Sequence, residues 1–208
     1  MKNLRVIEHP LIKRDLSLLR DRTTTSEDFR IVLKRLTSLM VYEVTRDLKL
    51  RSQELETPLE RTQGYATAEE LILVPVLRAG LGMLESYLAF IPNAKVGHIG
   101  LYRDETTLKP VDYYAKFPRD LSKSVVILID PMLATGGSAS AAIQYLKQKE
   151  AKNIRLNCVV AAPEGVALLE KEHPDVPIFA AVLDRQLNSR GYIMPGLGDA
   201  GDRIFGTL

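Results

Sequence analysis

The chain has 208 residues, 46% hydrophobic and 26% charged, the composition of a globular protein able to bury a core without disulfide or metal staples. With 28 basic against 26 acidic residues the net charge is +2, and the longest basic runs are pairs, Lys13-Arg14 and Lys34-Arg35, which argues against a nucleic-acid or membrane-surface binder. A single cysteine excludes an internal disulfide, and no apolar run reaches membrane-spanning length; with no apolar signal core at the N-terminus, a reduced cytoplasm is the expected location.

The N-terminal part, about residues 1–50, reads as helical. Pro10 starts a short helix through Leu11, Leu18 and Leu19. Ser26 is the expected cap of a longer one, with Phe29, Leu33, Leu36, Met40, Val44 and Leu48 at three- and four-residue steps. A polar stretch with Pro58 and Gly64 predicts irregular chain or a short hairpin. An alternation then begins. Strands are predicted at 71–77, 96–101, 125–129, 154–161 and 178–183, with helices through Leu81, Leu84 and Leu88, over 138–149 and over 164–171. Strands apolar on both faces and separated by helices imply a parallel sheet covered on both sides. Residues 102–117 are longer and more polar, with a strand-like Val111-Asp112-Tyr113-Tyr114. The glycine-rich tail, about 188–208, has no period and predicts an ordered, irregular region. Cys158 reads as a small buried strand residue, and His9, His98 and His173 have no metal-ligand spacing.

Three stretches carry chemistry. The apolar run Val125–Ile129 ends on Asp130-Pro131-Met132-Leu133-Ala134-Thr135-Gly136-Gly137-Ser138, which leads into a helix. Ligands of parallel sheets bind beyond the carboxyl ends of the strands. Glycines there turn backbone N–H groups inward, and a helix N-terminus favours an anion, so the turn is a phosphate cradle. A simple helix cap on Ser138 is the purely structural alternative. Asp130 would repel a lone phosphate, but it can take the hydroxyls of a sugar phosphate. No lysine follows the glycines, which excludes a Walker loop. Arg78, after another strand, and Arg103, after a third, place two cations on the same rim. Gly196-Leu197-Gly198-Asp199-Ala200-Gly201 matches the dinucleotide pattern by letter, but Pro195 precedes it, and only seven residues follow. Its backbone groups can instead read the edge of a flat polar ring.

These segments, with Tyr102-Arg103-Asp104-Glu105, Ala161-Ala162-Pro163-Glu164-Gly165 and Gly191-Tyr192-Ile193-Met194-Pro195, resemble the uracil phosphoribosyltransferases, from His9 to the C-terminus. The resemblance implies a type I phosphoribosyltransferase fold as a single domain, 1–208. It implies a parallel-core twisted sheet flanked by helices, a flap hairpin over about 102–117 and a C-terminal base-binding hood over about 188–208. It further implies pentosyl transfer from phosphoribosyl pyrophosphate (PRPP) to uracil, giving UMP and pyrophosphate with Mg2+. Asp130, Pro131, Met132, Leu133, Ala134, Thr135, Gly136, Gly137 and Ser138 then hold ribose and 5′-phosphate, and Arg78 and Arg103 the pyrophosphate. Ile193, Gly198 and Ala200 meet uracil through backbone groups, while Asp199 faces PRPP. Most sibling enzymes place two acids before the loop; here Pro131 takes the second position. Arg51–Ala68 looks shorter than in many relatives. Mg2+ is expected on PRPP and water with no direct protein ligation. Some relatives respond to GTP, which makes it a candidate effector, and the family suggests a homodimer or higher homo-oligomer. The rival reading is a PRPP-binding regulator on the same fold, opposed by the absent basic stripe.

Overall fold

The computed structural model describes residues 1–103 and 110–207; the side chains of 102, 103 and 110–112 lie outside that description. The chain opens on a three-residue strand, β1 (Leu4–Val6), too short to read from its sequence. Helix α1 (Pro10–Arg20) follows, with Pro10 in its first turn and His9 Nδ1 accepting the Leu11 N–H at 3.2 Å. In α2 (Ser26–Val44) the cap is Thr25, not Ser26: its hydroxyl accepts the Asp28 N–H at 3.1 Å, and Ser26 is already helical. Leu48 lies past the helix end, although it still packs on the same core. The polar stretch is a regular hairpin, β2 (Leu50–Glu56) against β3 (Arg61–Thr67).

Then come β4 (Glu70–Leu77), α3 (Leu81–Phe90), β5 (Lys95–Val96), β6 (His98–Arg103), β7 (Pro110–Lys116) and β8 (Ser124–Ile129). A short β9 (Met132–Leu133) leads to α4 (Gly137–Gln148), β10 (Asn153–Ala161), α5 (Pro163–Glu172) and β11 (Ile178–Leu183). The main sheet runs β1-β11-β10-β8-β4-β6-β7, with β5 beside β4 and β9 beside β10. Its described pairings are parallel except β6 with β7, the two arms of the expected flap. The flap's tip, 104–109, lies outside the described residues.

Both faces of the sheet are covered, as the two-sided apolar strands require. Successive side chains of a strand alternate faces. Leu71 and Leu73 of β4 and Val125, Ile127 and Ile129 of β8 therefore pack with α1, α2 and α3. Ile72, Val74 and Val76 of β4 and Val126 and Leu128 of β8 pack with α4 and α5. Cys158 is fully buried on β10. The tail, expected to be ordered but irregular, holds regular elements. β12 (Gln186–Leu187) pairs antiparallel with β13 (Ile193–Met194), and the chain ends on α6 (Ala200–Phe205). A six-residue helix has too few turns to show a period. The Leu77–Arg78 and Met194–Pro195 peptides are cis.

Candidate active site

The sheet register decides what meets what. Pro75 of β4 lies beside Ile129 of β8, and Ile129 beside Asn157 of β10, so Arg78 and Asp130 emerge on the same rim, past the carboxyl ends of neighbouring strands. The loop after Asp130 is tied down by its backbone. The Asp130 N–H donates to Asn157 C=O at 3.1 Å, Pro131 C=O accepts the Val159 and Val160 N–H groups at 3.0 Å each, and the Ala162 N–H donates to Leu133 C=O at 2.8 Å. Asp130 Oδ1 accepts the Met132 N–H at 3.2 Å.

The helix behind the loop has no side-chain cap. Gly136, at φ +84°, is the N-cap of α4, and Ser138 is exposed in its first turn, so the capping alternative for Ser138 fails. The first N–H groups of a helix lack intrahelical partners. Asp130, Met132, Leu133, Ala134, Thr135, Gly136, Ser138 and Ala139 line a hollow of about 150 Å³ there. α5 backs the loop at close range: a side chain on Gly165 would collide with the Ala134 carbonyl oxygen.

The tail closes the site from the other side. Asp199 caps α6, its Oδ1 accepting the Asp202 N–H at 3.0 Å, and it stands exposed. Ala200 is the first residue of α6 and buried, Ile193 is buried in the core, and Gly198 is exposed between them. Arg78 reaches this segment, with Nη2 3.5 Å from Asp202 Oδ1 and its guanidinium 5.6 Å from the centre of the Phe205 ring. Asp199 acts electrostatically on Asp130. Burial first pushes the Asp130 carboxyl up to about 7; the Met132 N–H opposes this, and the negative charge of Asp199 adds to it. Arg103 ends β6, with its side chain outside the described residues.

Among the described residues no group of three or more His, Cys, Asp or Glu side chains could hold a metal ion unaided. A larger cavity, about 620 Å³, lies between β1, the start of α1, α2, Phe90 and Phe179, and none of the candidate site residues lines it.

The family model for uracil phosphoribosyltransferase matches residues 6–207. The chain belongs to the uracil phosphoribosyltransferase family. Curated uracil phosphoribosyltransferases of Finegoldia magna and Salinibacter ruber are 55% and 52% identical, aligned over 100% of this chain and 100% and 99% of theirs. A solved protein of Aquifex aeolicus, 39% identical, superposes with a TM-score of 0.92 over 97% of either chain. The adenine phosphoribosyltransferase of Trypanosoma brucei is only 14% identical, with a TM-score of 0.61 over 92% of this chain and 88% of its own, and shares the type I phosphoribosyltransferase fold.

Three side chains that sequence reasoning passed over hold the family's tail segment in place. Asp184, at the end of β11, and Arg20, at the end of α1, form a paired fork, and Arg203 of α6 reaches back to the carbonyls of Leu19, Asp21 and Leu197. Asp184 had a signal: like Asp130, it is an acid that immediately follows an apolar strand. Its partner, 164 positions away, had none.

Proposed function

We propose that this chain transfers the 5-phosphoribosyl group from PRPP to uracil, giving UMP and pyrophosphate. The observation that carries this reading is the meeting, on one rim, of an uncapped helix start behind Asp130, the Arg78 guanidinium and the backbone of 198–200. Each supplies what one part of the reaction needs. The hollow within 130–139 takes the 5′-phosphate on backbone N–H groups, with the Thr135 and Ser138 hydroxyls beside it. Asp130 takes ribose hydroxyls alone, because Pro131 stands where siblings have a second acid. Arg78 holds the pyrophosphate end, and Arg103 joins it on the family resemblance.

Uracil N1 attacks C1′ as pyrophosphate leaves, and the N1 proton is lost. The transition state has oxocarbenium character, so positioning and charge stabilisation do the work and no covalent nucleophile is needed. The charge of Asp199 is felt at Asp130, and two carboxylates on the rim without a third fit a magnesium ion carried mainly by PRPP and water. When bound, the magnesium offsets charge on the pyrophosphate. The β6–β7 arms form the flap, which closes over PRPP and excludes water. Residues 188–208 form the base-binding hood of a single domain.

Base choice follows from backbone polarity. Uracil N3–H donates to Gly198 C=O, and uracil O4 accepts the Ala200 N–H. Ala200, first in α6, has no intrahelical partner for that donor. Cytosine reverses both groups. Each buried mismatch costs about 1–3 kcal/mol, so with two of them kcat/KM for cytosine is expected at least about thirtyfold below that for uracil. Comparable turnover of the two bases in a competition assay contradicts this part of the reading.

The hairpin β2–β3 supports a homo-oligomer. Every residue of β2 is exposed, and Leu50, Leu55, Leu59 and Tyr65 present apolar surface that an isolated hairpin has no reason to carry. GTP as an effector rests on the resemblance alone and is tested by adding it to the same assay. No described helix is long and apolar enough to cross a membrane, and the cytoplasmic location belongs to this proposal.

A further inference from the structure

The segment assigned to the base packs Ile193, Leu197 and Ala200 into the core, yet it must also hold two backbone groups in register with a ring edge. Polar bonds at its two ends add to that packing, and at Gly196 they come from one ion pair. Arg20 donates from Nη2 to Asp184 Oδ1 at 2.6 Å and from Nη1 to Asp184 Oδ2 at 2.9 Å. The same Nη1 donates to Gly196 C=O at 2.8 Å, and Asp184 Oδ2 accepts the Gly196 N–H at 2.9 Å. One bidentate pair thus takes both polar groups of Gly196. Asp184 is almost wholly buried and Arg20 mostly so, which keeps water from competing for these bonds. Gly196 sits at φ +63°, and a side chain there would collide with the Ile193 carbonyl, so the turn admits little alternative.

Gly196 lies two residues before Gly198 and four before Ala200. On the far side, Arg203 takes Leu197 C=O at 2.9 Å, Asp21 C=O at 2.7 Å and the Leu19 carbonyl, with its guanidinium 4.5 Å from the centre of the Phe29 ring. The C-terminal end of α1 therefore grips the base-reading segment at both ends.

We infer that Arg20 and Asp184 are positioning residues for base recognition, setting the register of Gly198 and Ala200 without touching either substrate. The inference rests on the uracil reading above. It separates two substrates by degree: the pair bonds the tail but none of residues 130–138, so its loss should be felt chiefly by the base, and by PRPP only through Asp199 in the same segment.

The test is steady-state kinetics on Arg20→Ala, Asp184→Ala, the double variant and the milder Arg20→Lys, which keeps charge and loses the fork. The expected result is a KM for uracil raised at least tenfold in the alanine variants and at least threefold in Arg20→Lys. KM for PRPP should rise by no more than about threefold, through Asp199 alone. The double variant should be no worse than either single, because both remove one unit. If the alanine variants do not fold, Arg20→Lys decides alone. KM values that rise together, or a uracil KM that does not move, overturn the inference. If the unaltered protein makes no UMP, the uracil reading fails instead, and amide exchange decides the positioning. The Gly196 amide, held by Asp184, should then lose protection in Arg20→Lys while those of β8 keep theirs; unchanged protection at Gly196 overturns it.

Discussion

Arg78 is exposed, and its described polar contact is one long ion pair with Asp202, a kind of contact worth about 0–1 kcal/mol. Its removal should leave the fold almost untouched. A donor aimed at developing charge is worth about a hundredfold to a thousandfold in rate. Arg78→Ala is therefore expected to lower kcat/KM at least about a hundredfold with a thermal midpoint close to that of the unaltered protein. Near-normal kcat/KM would remove Arg78 from the site. Asp130 makes a different prediction, through pH. Its carboxyl lies at about 7 in the fold against an ordinary value of 3.8, raised first by burial. With a raised value the fold favours the neutral acid, so ionisation between about pH 4 and 7 takes stability away. Asp130→Asn should unfold at a higher temperature than the unaltered protein at pH 8, and the gap should close toward pH 4. Equal midpoints at pH 8 contradict this reading of the Asp130 environment.

At the scale of elements, the site is held by contacts between segments. The first turn of α5 backs the phosphate loop so closely that Gly165→Ala should force the loop away. The expected cost is about 1–3 kcal/mol of stability in denaturant unfolding and a KM for PRPP raised several-fold, with uracil affected less. Normal KM for PRPP in a folded Gly165→Ala protein contradicts the backing role. The elements visible in the sequence were those with a strong period. β4, β8, β10 and β11 are apolar runs, and α2 and α4 carry clear helical stripes. What escaped was set by partners elsewhere in the chain. β1 exists because β11 offers a parallel edge, and α6 because Asp199 caps it and Arg203 holds it. Thr25 outcompeted Ser26 as a cap by one position, a distinction only the backbone angles decide. The rim residues Asp130 and Arg78 were legible because both follow strands, where ligands of parallel sheets gather. The Arg20–Asp184 pair was not, since charges 164 positions apart carry no mutual signal.

At the scale of the whole molecule, the proposed reading rests on three parts at the carboxyl ends of the strands: an anion cradle after β8, a cation after β4, and a backbone ring-reader in the tail. The two relatives align over essentially the whole of both chains. The helical N-terminus also gains a purpose, since the end of α1 is where the tail is fastened. The most direct test of the central claim is product formation from labelled uracil, PRPP and magnesium, with UMP and pyrophosphate both quantified. The account predicts UMP and pyrophosphate in equal amounts, with no nucleotide from cytosine, adenine or hypoxanthine at a comparable rate. Pyrophosphate released without UMP, or a faster reaction with another base, would contradict it.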